Sequence, residues 1–177
     1  MGNRLTKITT GTGDKGTTAL ASGLRVEKNS PRILAIGVVD ELNSCIGLVL
    51  AIGTPPRVRE CLLEVQYRLF DAGAQLGSPG RRCITEDHVL EIEREVDRFN
   101  EQLGPPKEFG LPGGSHAAAA CRVARAVCRR AESQLVSLNE VDPDEDGVLL
   151  VFLNRLSDLL FAVGGVRAAA ASSPESP

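Results

Sequence analysis

Residues 56–76 read Pro56-Arg57-Val58-Arg59-Glu60-Cys61-Leu62-Leu63-Glu64-Val65-Gln66-Tyr67-Arg68-Leu69-Phe70-Asp71-Ala72-Gly73-Ala74-Gln75-Leu76. The inward candidates Val58, Cys61, Leu62, Val65, Leu69, Ala72 and Leu76 recur in steps of three and four, which is the period of one helix face and not the two-residue period of a strand. Before this segment, Pro55-Pro56 closes an apolar stretch from Ile33 to about Ile52, which Ser30-Pro31 opens as N-cap and first helical residue. That stretch is apolar on most sides, so it is expected to be buried in a bundle or an interface.

After it, Ser78-Pro79-Gly80 makes a turn and Thr85 caps a third helix, with Val89, Ile92, Val96, Phe99 and Leu103 at heptad spacing. Gly104-Pro105-Pro106 stops that helix. Ser115 caps a fourth, reaching about Leu138, and Asp142-Pro143-Asp144-Glu145 reads as the capped start of a fifth, running to about Arg167. Short connections and the lack of β-branched alternating runs predict an all-α five-helix bundle over residues 31–167. Residues 1–30 form a separate segment rich in Gly and Thr, and the Ala/Ser/Pro-rich tail 168–177 is expected to be disordered.

The chain has 177 residues, enough for one domain, with 20 Lys and Arg against 23 Asp and Glu. A net charge of −3 and 3% aromatic residues argue against nucleic acid as a partner, since binders carry a basic face or stacking platforms. No uninterrupted apolar run reaches the ~18 residues of a membrane span, and Met1–Leu5 lacks the apolar core of a secretory signal, so a cytoplasmic protein is expected. Five cysteines without a C-x-x-C pair, and only His88 and His116 beside them, offer no metal-ligand spacing.

Gly11-Thr12-Gly13-Asp14-Lys15-Gly16 matches G-x-G-x-x-G, yet no buried strand precedes it and no β-α alternation follows, as a dinucleotide fold requires. It also lacks the Lys-Ser/Thr of a phosphate-binding P-loop after its last glycine. Two readings remain open: a flexible N-terminal loop, or a loop whose backbone N–H groups, threonine hydroxyls and lysine cradle a phosphate. In the fourth helix Arg122, Arg125, Arg129 and Glu132 form one stripe, with Arg130 beside it, among small apolar residues. The stripe is either a solvated charged face or an enclosed one. If enclosed, the guanidinium groups need anions, for which Asp40, Glu41, Asp158 and a bound polyphosphate are candidates. Asp40 and Asn43 in the first helix, and Asn154, Arg155 and Asp158 in the fifth, are polar residues within apolar helices that must find partners.

Together these segments resemble the PduO-type ATP:cob(I)alamin adenosyltransferase family. The matching pieces are Thr10–Thr18, Arg25–Lys28, Val39–Ser44, Phe109–Gly114, Cys128–Glu132 and Leu153–Asp158, in family order across residues 6–162. The resemblance implies a five-helix bundle that forms a homotrimer with active sites between subunits. It also implies attack of a Co(I) corrinoid on the 5′ carbon of ATP, giving adenosylcobalamin and tripolyphosphate. By resemblance Thr10, Gly11, Thr12, Gly13, Asp14, Lys15, Gly16, Thr18, Lys28, Arg129, Arg130, Glu132 and Asn154 contact ATP, with Mg²⁺ on the phosphates. Asp40 and Arg125 correspond to an intersubunit ion pair, and Phe109 to the aromatic side chain that displaces the lower base of cobalamin. Implied partners are a flavin reductase supplying Co(I) and a mutase or dehydratase taking the product. Thr9, Gly11 and Ser133 depart from the family pattern, where Tyr, a basic residue and Arg are common. A cobalamin carrier without transfer activity would have lost the ATP-contacting set, yet Lys28, Arg129 and Asn154 are present.

Overall fold

A computed structural model describes residues 9–103, 114–143 and 147–172. Its helices are α1 (Pro31–Ile52), α2 (Pro56–Leu76), α3 (Glu86–Leu103), α4 (His116–Val141) and α5 (Val148–Ser172). The main packing partners run in the order α2, α1, α4, α5, α3. The core is aliphatic, with Leu42, Ile46, Leu62, Leu69, Leu135, Leu153 and Leu156 almost wholly enclosed beside Phe99 and Phe152. Each such side chain contributes about 1.5–3 kcal/mol by leaving water, which outweighs the exposed ion pairs around it. The inward stripe read in residues 56–76 is the buried face of α2.

The all-α expectation needs one correction. Strands β1 (Thr17–Ala19) and β2 (Arg25–Glu27) form an antiparallel hairpin with Thr18 opposite Val26. Each strand spans three residues, too few for a two-residue alternation to be read in the sequence. Gly23 closes the turn at φ +86°, and the Leu20 N–H donates to Leu24 O at 2.8 Å. Leu20 is buried, and the Ala21 N–H donates to Gly77 O at 3.1 Å, which docks the hairpin on the end of α2.

Helix ends differ in detail from expectation. Ser30 does precede α1, with Pro31 in the first turn, but its hydroxyl makes no cap hydrogen bond. Ser115 caps α4 through a 3.2 Å bond accepted from the Ala118 N–H. At α3 the Thr85 N–H donates to Nδ1 of His88 at 3.1 Å, a capping box with histidine in the usual place of Glu or Gln. The fifth helix begins at Val148, later than expected, because Asp142 ends α4 and pairs with Arg32 instead. Residues 144–146 lie outside the described residues. Arg32 also donates to Leu76 O at 2.7 Å, so one side chain ties together the start of α1 and the ends of α2 and α4. The boundary expected at Arg167 falls inside α5, which continues to Ser172 through Ala168–Ala171, residues of the highest helix propensity.

By length and composition α1 and α5 could each cross a membrane, but 44% and 56% of their apolar windows are buried within the bundle. Their apolar character serves the core, and Asp40, Glu41 and Asn43 interrupt α1.

Candidate functional site

The N-terminal loop is a built turn. Gly11 and Gly16 have φ of +68° and +86°, a region that side chains disfavour. The Asp14 N–H donates to Gly11 O at 3.3 Å and the Gly16 N–H to Gly13 O at 3.2 Å. A β-carbon at Gly13 would stand 3.2 Å from both Lys28 Nζ and Thr17 O, so the bare backbone of Gly13 lets the Lys28 ammonium lie against the loop. The Lys28 N–H donates to Gly16 O at 2.8 Å and fixes the base of that lysine. Thr10 and Thr12 hydroxyls are 3.0 Å apart; Asp14 and Lys15 are exposed; Thr18 is half-buried in β1. Arg25 was not among the expected ligand contacts. Its Nη2 donates to Thr12 O at 2.8 Å and to Thr17 Oγ1 at 2.5 Å, and so it ties the loop to the hairpin.

The arginine stripe of α4 divides among several partners. Arg130 pairs with Glu41 of α1 at 2.5 Å. The Arg125 guanidinium lies 5.2 Å from the centre of the Phe161 ring on α5, a cation–π contact. The Nε atoms of Arg122 and Arg125 are buried with no hydrogen-bond partner. Among the described residues no carboxylate pairs with the exposed guanidinium of Arg129, which leaves it available to an anion. Glu132 is not free: its Oε1 accepts from Asn154 Nδ2 at 2.9 Å, bringing together two of the expected site residues.

Asp40 is exposed on a groove of about 560 Å³ between α1 and α2, shared with Asn43, Leu63, Gln66, Tyr67 and Phe70. Asn43 and Gln66 exchange amide-to-carbonyl bonds at 3.3 and 3.1 Å, yet Asn43 Oδ1 stays buried and unpaired. Tyr67 and Phe70 are 62% and 68% exposed, an unusual cost for aromatic rings at an otherwise polar rim. The spacing of three and four along residues 56–76 does not report them, because it selects only the inward face of α2. Asp40 lines the groove between α1 and α2, whereas Arg125 lies against Phe161 of α5, and the two make no ion pair with one another among the described residues. Nor does any hydrogen bond or ion pair among those residues join the N-terminal loop to the Glu132–Asn154 pair. Phe109 lies outside the described residues.

Two buried cysteines are poor nucleophiles. Burial pushes the Cys128 thiol well up, helped by Glu132 and Asp158, and its Sγ donates to Leu153 O at 3.2 Å. Cys61 is pushed up to about 12 by burial, with Glu95 adding to the effect and Arg57 opposing it. Among the described residues no group of three His, Cys, Asp or Glu side chains could hold a metal. The exposed Asp14 carboxylate beside Gly11 does suit Mg²⁺ brought in with a triphosphate, because Mg²⁺ commonly takes one or two protein carboxylates plus phosphate oxygens.

A sequence model described as cobalamin adenosyltransferase matches residues 8–166. The chain is 48% identical over 167 residues to a cobalamin adenosyltransferase of Cupriavidus metallidurans, covering 94% of this chain and 90% of that one. It is 40% identical to a corrinoid adenosyltransferase of Mycobacterium leprae, over 94% and 93% of the two chains. Among solved structures, it is similar to a variant PduO-type ATP:corrinoid adenosyltransferase from Lactobacillus reuteri complexed with cobalamin and ATP. There the TM-score is 0.84 and the identity 36%, over 92% of this chain and 93% of that one.

Proposed function

The chain belongs to the cobalamin adenosyltransferase family, and from that we propose how its residues divide the work. It is an enzyme, a corrinoid adenosyltransferase, acting on ATP and cobalamin. In the reaction proposed here, the electron pair of Co(I) forms a bond to C5′ of ATP. The C5′–O5′ bond breaks, its bonding electrons leave on the tripolyphosphate oxygen, and cobalt, having given its own pair to the new Co–C bond, becomes formally Co(III).

The leaving group carries the charge that most needs stabilising. The Gly11–Gly16 loop can offer backbone N–H groups, Thr10 and Thr12 can offer hydroxyls, and Lys28 and Arg129 supply cations. Donors fixed before the charge develops lower the barrier without reorganisation, and losing one typically costs about 10²–10³ in kcat. Mg²⁺, held by Asp14 and the phosphates, would neutralise part of the same charge. Glu132 repels phosphate, so it and Asn154 are assigned to the hydroxyl and amino hydrogens of the nucleoside. The open groove, with the exposed Tyr67 and Phe70 rings at its polar rim, suits a corrin face, with Phe109 expelling the lower base.

We place the complete site between subunits of a homotrimer. This is supported by the separate surroundings of Asp40, on the α1/α2 groove, and Arg125, against Phe161 of α5: they do not pair within one chain, and a second copy would bring such a pair together. Two different faces meeting head to tail close into a ring when the rotation between copies closes, and a threefold rotation gives the trimer. A cytoplasmic setting fits the five free cysteines. Co(I) supply by a flavin reductase and delivery of the product to a mutase or dehydratase complete the reading. The observation that carries it is the Lys28 ammonium resting on the bare Gly13 backbone. The test is an anaerobic assay with reduced cobalamin and ATP. A light-sensitive Co–C bond should form, and its absence with correctly folded protein would refute the reading.

A further inference from the structure

We infer that Glu93 and Arg155 are positioning residues for the Asn154 amide, an inference that rests on the reading of Asn154 as an ATP contact. Arg155 Nη1 donates to Asn154 Oδ1 at 2.8 Å, and Arg155 Nε donates to Glu93 Oε1 at 2.6 Å. On the other side Asn154 Nδ2 donates to Glu132 Oε1 at 2.9 Å. A single line of hydrogen bonds thus runs from α3 through α5 to α4.

The order of donors and acceptors along that line gives it meaning. Guanidinium can only donate and carboxylate can only accept, so the amide between them has one permitted orientation: oxygen toward Arg155, nitrogen toward Glu132. A ligand that engages Glu132 would loosen one of the two restraints, and Arg155 would then hold the amide alone. Residues adjacent on a helix do not face each other, so Arg155 must bend back to reach its neighbour. Glu93 holds it there through Nε. It also neutralises a guanidinium that would otherwise be free to swing onto Glu132 and occupy the carboxylate the ligand needs. The side chains of Arg155 and Glu93 are 38% and 40% exposed, and an ion pair so exposed contributes little to stability. Its value lies in orientation.

The test uses full-length protein with reduced cobalamin and ATP. Arg155→Lys and Glu93→Gln should each raise KM for ATP about five- to tenfold, the effect of one well-placed hydrogen bond. KM for cobalamin and the thermal midpoint should stay at wild-type values. In an Asn154→Ala background, Arg155→Lys should add nothing, whereas an additive effect would overturn the inference. The paired exchange of Glu93→Arg with Arg155→Glu restores the attraction but turns an acceptor toward Asn154 Oδ1. It should keep the wild-type thermal midpoint while KM for ATP stays raised, and a wild-type KM for ATP would show a mere structural tie and overturn the inference. Should Asn154→Ala leave KM for ATP unchanged, the ATP reading of Asn154 fails, and the side-chain amide NMR signal of Asn154 still decides the positioning claim. A signal displaced by Glu93→Gln supports it, and an unmoved one overturns it.

Discussion

The Nζ of Lys28 lies 3.2 Å from the point that a β-carbon on Gly13 would occupy. Adding side-chain atoms there must push the ammonium away or distort the loop, because Thr17 O blocks the same position at 3.2 Å. Gly13→Val is therefore expected to raise KM for ATP by at least tenfold, about 1.4 kcal/mol or more of lost binding, with KM for cobalamin nearly unchanged. Steady-state kinetics in each substrate check this. Equal effects on both would indicate general misfolding.

Arg129 and Arg130 are neighbours in sequence with different surroundings. Arg130 is paired with Glu41, whereas Arg129 meets no carboxylate among the described residues. Arg129→Ala should therefore weaken ATP binding more than Arg130→Ala does. Calorimetric titration with ATP at two ionic strengths measures it, and the Arg129 deficit should shrink as salt screens the charge.

How much of this was legible beforehand can be judged from particular residues. The α2 face from Val58 to Leu76 follows from spacing alone, since burial of one face is what a 3.6-residue period encodes. Thr85 reads as a cap, but that His88 completes it does not, because histidine is not a usual third-position partner. The hairpin escaped notice because a three-residue strand carries too little pattern. Asn154 and Arg155 stand out as polar residues in an apolar helix. Their partners Glu132 and Glu93 lie 22 and 62 residues away, a separation that no local pattern reports. Tyr67 and Phe70 stayed hidden for the opposite reason: they are apolar residues on the face assigned to solvent.

Burial raises the Cys61 thiol from an ordinary value of 9.0 to about 12. The folded state thus favours the protonated form, a contribution that is fully present below about pH 9 and is lost as pH rises toward 12. Cys61→Ala removes that titration. Its denaturant midpoint should fall less steeply than that of the wild type between these limits, as urea unfolding followed by circular dichroism would show. Identical alkaline slopes would mean that the thiol is not the group concerned.

Asp40 and Arg125 are expected to meet across a subunit boundary. If so, Arg125→Ala on one chain and Asp40→Ala on another should complement when mixed, because some interfaces then carry both native residues. Each variant alone should show a raised KM for cobalamin with ATP binding retained. Sedimentation should report a trimer for the wild type, and a stable, fully active monomer at micromolar concentration would refute the shared site.

Phe109 stands between Pro106 and Pro112 in the sequence, outside the described residues, and its proposed partner is the lower face of the corrinoid. If it expels the lower base of cobalamin, cobalt becomes four-coordinate and is reduced more easily. Phe109→Ala should then leave ATP affinity nearly intact while slowing adenosyl transfer to cobalamin by about tenfold or more, a loss of at least ~1.4 kcal/mol of transition-state stabilisation. Cobinamide has no lower base to expel, and its rate should fall much less. The ratio of the two rates thus separates base displacement from packing, since lost packing would slow both corrinoids alike. A spectrum of Co(II)alamin with ATP gives a second reading: the four-coordinate signal should be present in the wild type and absent in the variant. Equal slowing of both corrinoids, with that signal retained, would remove lower-base displacement from the mechanism and leave Phe109 as a packing residue.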